Sequence, residues 1–83
     1  MNTFKVIPLQ REITESFLKG NSIKDIANEY DIPITHVEET IRLIAGYFLG
    51  ENRRTLTVYE IFKRKQYLLK KVSFANTVGL RFN

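Results

Sequence analysis

The stretch from Leu18 to Ile44 decides the fold of this chain: L-K-G-N-S-I-K-D-I-A-N-E-Y-D-I-P-I-T-H-V-E-E-T-I-R-L-I. Ser22 suits an N-cap, because its hydroxyl can accept a hydrogen bond from a backbone N–H of the first helical turn. One helical face follows at i, i+3, i+4 and i+7, formed by Ile23, Ile26, Ala27 and Tyr30. Pro33 disfavours the α conformation at the residue before it, and a second apolar face then follows with Val37, Ile41, Ile44 and Phe48. The pattern predicts two helices, at about 22–30 and 34–49, joined by a sharp turn.

The spacing of apolar residues across this turn resembles a helix-turn-helix motif. Such motifs place a branched residue and an alanine in the first helix, an apolar turn residue five positions on, and a valine five further; Ile26-Ala27, Ile32 and Val37 match. Further segments extend the likeness over about residues 9–57: L-Q-R-E-I, G-N-S-I-K-D-I-A, V-E-E-T-I and Arg53. Together they are similar to the LuxR/GerE-type domain and to region four of bacterial sigma factors. The resemblance implies a four-helix DNA-binding domain.

The flanking sequence predicts two more helices. The first begins near Pro8, has an apolar stripe of Leu9, Ile13, Phe17 and Leu18, and ends at Gly20, which takes the left-handed conformation readily. Thr57 and Glu60 fit a capping box that opens a fourth helix at about 57–73, with Val58, Ile61, Phe62, Leu68, Leu69 and Val72 facing inward. Gly46 either permits close packing or marks an early end of the third helix.

The sequence allows two interpretations of the two ends of the chain. Residues 3–7 and the alternating Val78, Leu80 and Phe82 form either short paired strands or an extended arm and a frayed tail. We therefore predict one all-α domain over residues 1–83, with four helices, a central helix-turn-helix and short terminal strands as one alternative.

Composition and charge narrow the function. An apolar fraction of 43% is typical of a folded chain, and the absence of cysteine excludes disulfides and thiolate chemistry. No apolar run approaches the ~20 residues of a membrane span, and the start M-N-T-F-K-V-I-P lacks a signal-peptide core, so we expect a cytoplasmic protein without a membrane partner. Residues 1–50 hold five basic and seven acidic side chains (5 − 7 = −2), whereas residues 51–83 hold eight and two (8 − 2 = +6). The positive charge therefore lies in the C-terminal third.

The sequence offers no catalytic or metal-binding pattern. His36 is the only histidine, and a lone histidine in this helix is more typical of a surface or DNA-facing residue than of a metal ligand. Glu38 and Glu39 are adjacent, so they point about 100° apart on a helix and do not converge as an acid–base pair. We expect no enzyme activity and no cofactor.

Sequence-specific binding of double-stranded DNA in transcriptional control is the leading interpretation. The second helix of such a motif reads base edges in the major groove, and its outward positions here are Ile34, Thr35, His36, Glu39 and Arg42. Phosphate contacts are expected at the start of the first motif helix and on the basic C-terminal segment, from Asn21, Ser22, Lys24, Arg53, Arg54, Lys63, Arg64 and Lys65. The resemblance to LuxR/GerE-type domains implies pairing of two copies through the last helix, hence a homodimer. The small size favours a bacterial or phage regulator.

Two departures from those families support a second interpretation. Asp31 stands where the turn usually has glycine, and Glu38 and Glu39 put negative charge on the helix that would face a polyanion. The alternative is a protein-binding module that docks on RNA polymerase, a sigma factor or a repressor. A third interpretation, an RNA-binding basic helix, fits only the C-terminal segment, since the sequence lacks the aromatic platforms or modules that single-stranded recognition uses.

Overall fold

The computed structural model describes residues 4–5, 8–77 and 81–82, and this part of the chain is almost entirely helical. Its helices are α1 (Pro8–Leu18), α2 (Ile23–Tyr30), α3 (Ile34–Leu49), α4 (Val58–Lys63) and α5 (Lys65–Thr77). Two short strands, β1 (Phe4–Lys5) and β2 (Arg81–Phe82), pair antiparallel, with Phe4 opposite Phe82. The all-α prediction is confirmed, and the pairing agrees with the terminal-strand alternative. Val78 and Leu80, which were expected to alternate in that strand, lie outside the described residues.

Both ends of α2 are capped, and the cap at its C-terminal end forms the predicted sharp turn. The Ser22 hydroxyl accepts a hydrogen bond from the Asp25 N–H at 3.0 Å, which fixes the start of the helix. At the other end, Asp31 adopts the left-handed conformation, with φ 55° and ψ 50°. The Ile32 N–H then donates to the Ala27 carbonyl at 3.0 Å and closes the helix end. Aspartate thus takes the backbone conformation for which glycine is the usual residue.

Two side-chain hydrogen bonds connect α1 and its end to α2. The Asn21 side-chain amide donates to the Ser16 hydroxyl at 2.9 Å, and the Tyr30 hydroxyl donates to a Glu12 carboxylate oxygen at 3.4 Å. Partial burial, together with the carboxylates of Glu29 and Glu12, raises the pKa of Tyr30. The first contact closes the end of α1, and the second joins α1 to the end of α2.

The core lies between α1 and α3, with the other helices packed around them. Its fully buried apolar side chains come from α1, α2, α3, α4 and α5: Ile13, Leu18, Ile26, Val37, Ile41, Ile44, Ala45, Ile61, Leu68 and Val72. The predicted apolar faces of the helices are therefore largely confirmed. Leu9 is the exception, since it is 43% exposed. It lies one turn before Ile13, in the first turn of α1, where the apolar stripe continues beyond the core.

The prediction of one continuous fourth helix is wrong, because the helix is interrupted at Arg64. This residue has φ −105° and ψ 23°, and its N–H donates to the Ile61 carbonyl in a tight turn. The break lets α4 pack on α3 while α5 packs on α1. Residues 8–77 therefore form five helices rather than the four predicted. The start of α4 is as predicted, with the Thr57 hydroxyl accepting from the Glu60 N–H at 3.1 Å.

Gly46 lies inside α3 and permits close packing of the loop that follows this helix. A Cβ atom added there would lie 3.0 Å from the Glu51 carbonyl oxygen and 3.3 Å from the Arg53 Cβ. The loop cannot easily move away, because the Glu51 N–H donates to the Gly46 carbonyl at 3.0 Å. Of the two interpretations of Gly46, close packing is therefore the one observed.

Ala27 tests the register of the helix-turn-helix. It is 6% exposed where α2 packs on α3, so Ala27→Leu should overpack this contact and lower the free energy of unfolding by about 1–3 kcal/mol. Urea denaturation followed by circular dichroism measures the loss. Glu29→Leu places the same side chain at an exposed position of α2 and serves as the control. An Ala27→Leu variant as stable as the unmodified chain would contradict the register.

Candidate nucleic-acid interface

The burial of one face of α3 sets which of its residues face outward. Val37, Ile41 and Ile44 are all 0% exposed, so they fix the rotation of the helix against the core. At about 100° per residue, Thr35 and Glu39 project from the opposite side of the helix. In the first turn, Ile34 is 47% exposed, and Thr35 and His36 are exposed as well. Thr35, Glu39 and Arg42 therefore share the outward side of α3. Ile34 and His36 are exposed on either flank of it in the first turn, and these five residues are named the outward stripe.

Arg42 is the most constrained member of this stripe. Its guanidinium lies 3.7 Å from the Glu39 carboxylate, one helical turn earlier, and the two side chains are 30% and 70% exposed. A guanidinium paired in this way is partly neutralised, but exposed ion pairs of this kind are weak and exchange partners easily. Arg42 is thus positioned to contact an anion after leaving Glu39.

The charge around the motif is negative. Residues 21–49 contain two basic side chains, Lys24 and Arg42, and five acidic ones, Asp25, Glu29, Asp31, Glu38 and Glu39 (2 − 5 = −3). Of the five carboxylates, only Glu38 is partly buried; the others are exposed. The carboxylates would therefore repel a duplex approaching α3, and the favourable free energy of contacts from the outward stripe would have to exceed that repulsion.

The predicted phosphate contacts at the start of α2 have structural roles as well. Ser22 caps the helix and Asn21 holds Ser16, whereas Lys24 is exposed. The N-terminus of a helix favours an anion through its free N–H groups and its dipole. Asp25, however, already places a carboxylate in this first turn.

The remaining predicted phosphate contacts lie at the far end of α3. Arg53 lies against Gly46, and Arg64 forms an ion pair with Glu51, directly after the helix. The bond to Glu51 raises the pKa of the Arg64 guanidinium. From Ile34 to the end of α3 at Leu49 is about 22 Å at a rise of ~1.5 Å per residue. Gly46 is one helical turn beyond Arg42, about 6 Å along α3, so Arg53 lies next to the end of the outward stripe. Arg64 lies further on, at the end of the helix.

An aromatic component of the basic segment was missed in the sequence. The Lys63 ammonium lies 5.3 Å from the centroid of the Tyr59 ring, and the Lys71 ammonium lies 5.4 Å from that of Tyr67. The Lys65 ammonium lies 4.1 Å from the Phe62 ring centroid. The sequence does contain a signal for these contacts. Tyr59 and Tyr67 each precede a lysine by four residues, a spacing that makes side chains neighbours on a helix.

Comparisons of the chain with protein-family models, curated proteins and solved structures find no match. Within the described part of the chain, no three histidine, cysteine or acidic side chains gather in a way that could hold a metal ion. No helix among those described has the length and apolar character needed to cross a membrane. Any function is therefore to be argued from the surfaces themselves.

Substitution of Ser22 tests its role as the N-cap of α2. Ser22→Ala removes the acceptor for the Asp25 N–H and should lower the free energy of unfolding by about 1 kcal/mol. Ser22→Gly should lower it by only a few tenths of a kcal/mol, because glycine is tolerated at N-caps. Thermal melts of both variants, read by circular dichroism, test this order. Equal stability of Ser22→Ala and the unmodified chain would show that the hydroxyl does not cap α2.

Proposed function

We propose that this chain is a small cytoplasmic DNA-binding regulator of transcription that inserts α3 into the major groove of duplex DNA. The observation that carries the proposal is the accessible stripe of α3, which the buried face of the same helix holds outward directly after a tight turn. This is the arrangement by which helix-turn-helix proteins present side chains to base edges. The resemblance to LuxR/GerE-type domains and sigma region four supports the same function.

Each outward side chain has chemistry suited to a base edge. Thr35 and His36 can donate or accept hydrogen bonds, and Glu39 can accept from the exocyclic amine of cytosine. Arg42 can donate two parallel hydrogen bonds to guanine or bind a phosphate once it leaves Glu39. Lys24 and the N-terminus of α2 would contact the backbone beside the groove. Specificity would therefore come mainly from α3, and orientation from α2.

Homodimerisation through the last helix stays a prediction. Lys70 and Lys71 are exposed on α5. A symmetric pair would bring this same face of both copies together, and because α5 contains no acidic residue, lysines would meet a face without carboxylates to pair with them, which is unfavourable.

One observation favours docking on a protein as a second candidate. The charge of −3 over residues 21–49 and the exposed Ile34 together make an acidic surface with an apolar centre. Such a surface suits a cationic partner with an apolar pocket, as a site on RNA polymerase or another transcription protein would provide. In this case α3 would contact protein and the chain would bind no duplex alone.

Salt-dependent binding to random duplex DNA distinguishes the two candidates. Fluorescence anisotropy of a labelled duplex, titrated with the chain from low to moderate salt, gives the affinity and its slope against log salt. DNA binding predicts a slope of roughly −0.9 for each phosphate contacted. Absence of binding even at low salt would contradict the DNA-binding proposal and favour docking on a protein, which co-purification with RNA polymerase would then test.

A double substitution tests the role of α3 directly. Thr35→Ala with Arg42→Ala should weaken binding to a selected operator by about 1–3 kcal/mol, because the contacts to bases are lost while the core is untouched. Lys19→Ala is the control, since it removes a positive charge from an exposed position outside the motif helices. Unchanged operator affinity in the double variant, measured by anisotropy, would refute the assignment of α3.

Glu39 gives a test whose sign differs between the candidates. Glu39→Gln removes a charge that is 70% exposed and releases Arg42, so it should strengthen binding to random duplex DNA at moderate salt. If α3 docks instead on a cationic protein surface, the same change should weaken that complex. Weaker binding of Glu39→Gln to random duplex would count against insertion of α3 into DNA.

A further inference from the structure

The junction of α4 and α5 forms an open cleft that the α3 surface does not include. It has a volume of about 330 Å³ and is lined by Lys63, Arg64, Lys65, Gln66 and Tyr67, which we name the basic–aromatic cleft. The cleft exists because the helix breaks at Arg64, so that α4 and α5 diverge there. Its volume is at the lower end of the ~300–1,000 Å³ typical of small-ligand sites.

The charge around this cleft is strongly positive. Residues 58–72 contain five basic side chains and one acidic side chain, Glu60 (5 − 1 = +4). Arg64 is partly neutralised by its ion pair with Glu51. The other ion pair within the described part of the chain is Arg42–Glu39, so the four lysines of this segment take part in neither. The cleft therefore favours an anionic ligand.

The aromatic rings make the cleft more than a patch of positive charge. Tyr67 is 50% exposed and Tyr59 is 69% exposed, although large apolar rings are usually turned inward. Three lysine–aromatic contacts fall within residues 59–71, each with the ammonium inside the ~6 Å at which a ring attracts a cation. Exposed rings beside cations are the combination by which proteins hold single strands, because bases stack on the rings while the cations follow the phosphates.

We propose that the basic–aromatic cleft binds a single strand of DNA or RNA, with an unpaired base stacked on Tyr67 and the neighbouring phosphates held by Lys63 and Lys65. A duplex offers no free base face to a tyrosine, since its bases already stack on one another. Arg64, which lines the cleft, pairs with Glu51 directly after α3, about 22 Å along that helix from Ile34 and about 10 Å from Arg42. The cleft is therefore a second site, separate from the first turn of α3, which would enter a duplex.

The test uses the full chain and a fluorescein-labelled oligothymidylate of about 12 nucleotides, within the ~4–16 that one small module covers. Tyr67→Ala should weaken binding roughly 5- to 100-fold, the range for the loss of one base–aromatic stack. Tyr67→Phe keeps the ring and should bind within about twofold of the unmodified chain. Thermal melts confirm that each variant is folded.

The cations are tested by the salt dependence of the same binding. Lys63→Gln with Lys65→Gln should reduce the slope of log affinity against log salt by about 1.4, from two contacts at ~0.7 each on a single strand. Lys19→Gln removes one exposed charge far from the cleft in sequence and should leave the slope nearly unchanged. An unaltered slope in the double lysine variant would overturn the phosphate contacts.

Four results would overturn the proposal as a whole. The first is no binding of oligothymidylate at low salt, and the second is equal affinity of folded Tyr67→Ala and the unmodified chain. The third is displacement of the oligonucleotide by polyglutamate at an equal concentration of charge, which would assign the cleft to acidic polypeptides. Thr35→Ala with Arg42→Ala should retain oligothymidylate binding; its loss there would assign the binding to α3 instead. Failure of the duplex experiments would leave the binding of oligothymidylate to the cleft unaffected.

Discussion

The burial of one face of α3 is the constraint on which the remaining structure depends. Val37, Ile41 and Ile44 are completely removed from solvent, and α3 packs against α1, α2, α4 and α5. A rotation of α3 by one residue would turn a glutamate next to Val37 towards the core, where an unpaired carboxylate is strongly disfavoured. The outward position of the stripe is therefore a consequence of the core, and it holds whichever partner the stripe binds.

The same helix also determines where the basic residues lie. Gly50 ends α3 in the left-handed conformation, with φ 67°, and the following loop packs against Gly46. Arg64 then pairs with Glu51, and the rings of Phe17 and Phe62 meet edge to face with centroids 5.6 Å apart. These contacts hold α4 beside the C-terminal ends of α3 and α1. The cationic residues that follow are consequently held at the end of α3 remote from the turn.

Local signals in the sequence account for most of the helices and for the outward stripe. Caps at Ser22 and Thr57, the turn before Pro33 and the apolar periodicity are all properties of neighbouring residues, and the structure confirms them. The break at Arg64 has no such signal, because K-R-K-Q contains neither glycine nor proline and Ile61, Leu68 and Val72 fit one continuous helix. Only packing of α4 on α3 and of α5 on α1 selects the break.

The position of the phosphate-contacting candidates was unpredictable for the same reason. Sequence periodicity gives the side of a helix on which a residue lies, but not the direction in which the chain leaves Gly50. The positions of Arg53, against Gly46, and of Arg64, paired with Glu51, therefore come from the folded loop. Leu9 illustrates the related limit that periodicity does not reveal where the core ends, since it continues the apolar stripe of α1 yet is 43% exposed.

The separation of charge along α3 decides how a polyanion would approach the molecule. At ~0.15 M salt the Debye length is about 8 Å, so charges near the first turn of α3 and charges at the end of the helix, about 22 Å away, are screened from each other. At ~0.01 M salt the Debye length is about 30 Å, and the field of the whole molecule then includes both the acidic motif and the basic–aromatic cleft. Because the net charge is +4, that field attracts any nucleic acid irrespective of the site that finally binds it. Binding at low salt therefore reports net charge, whereas differences between variants at moderate salt report the local contacts of each surface.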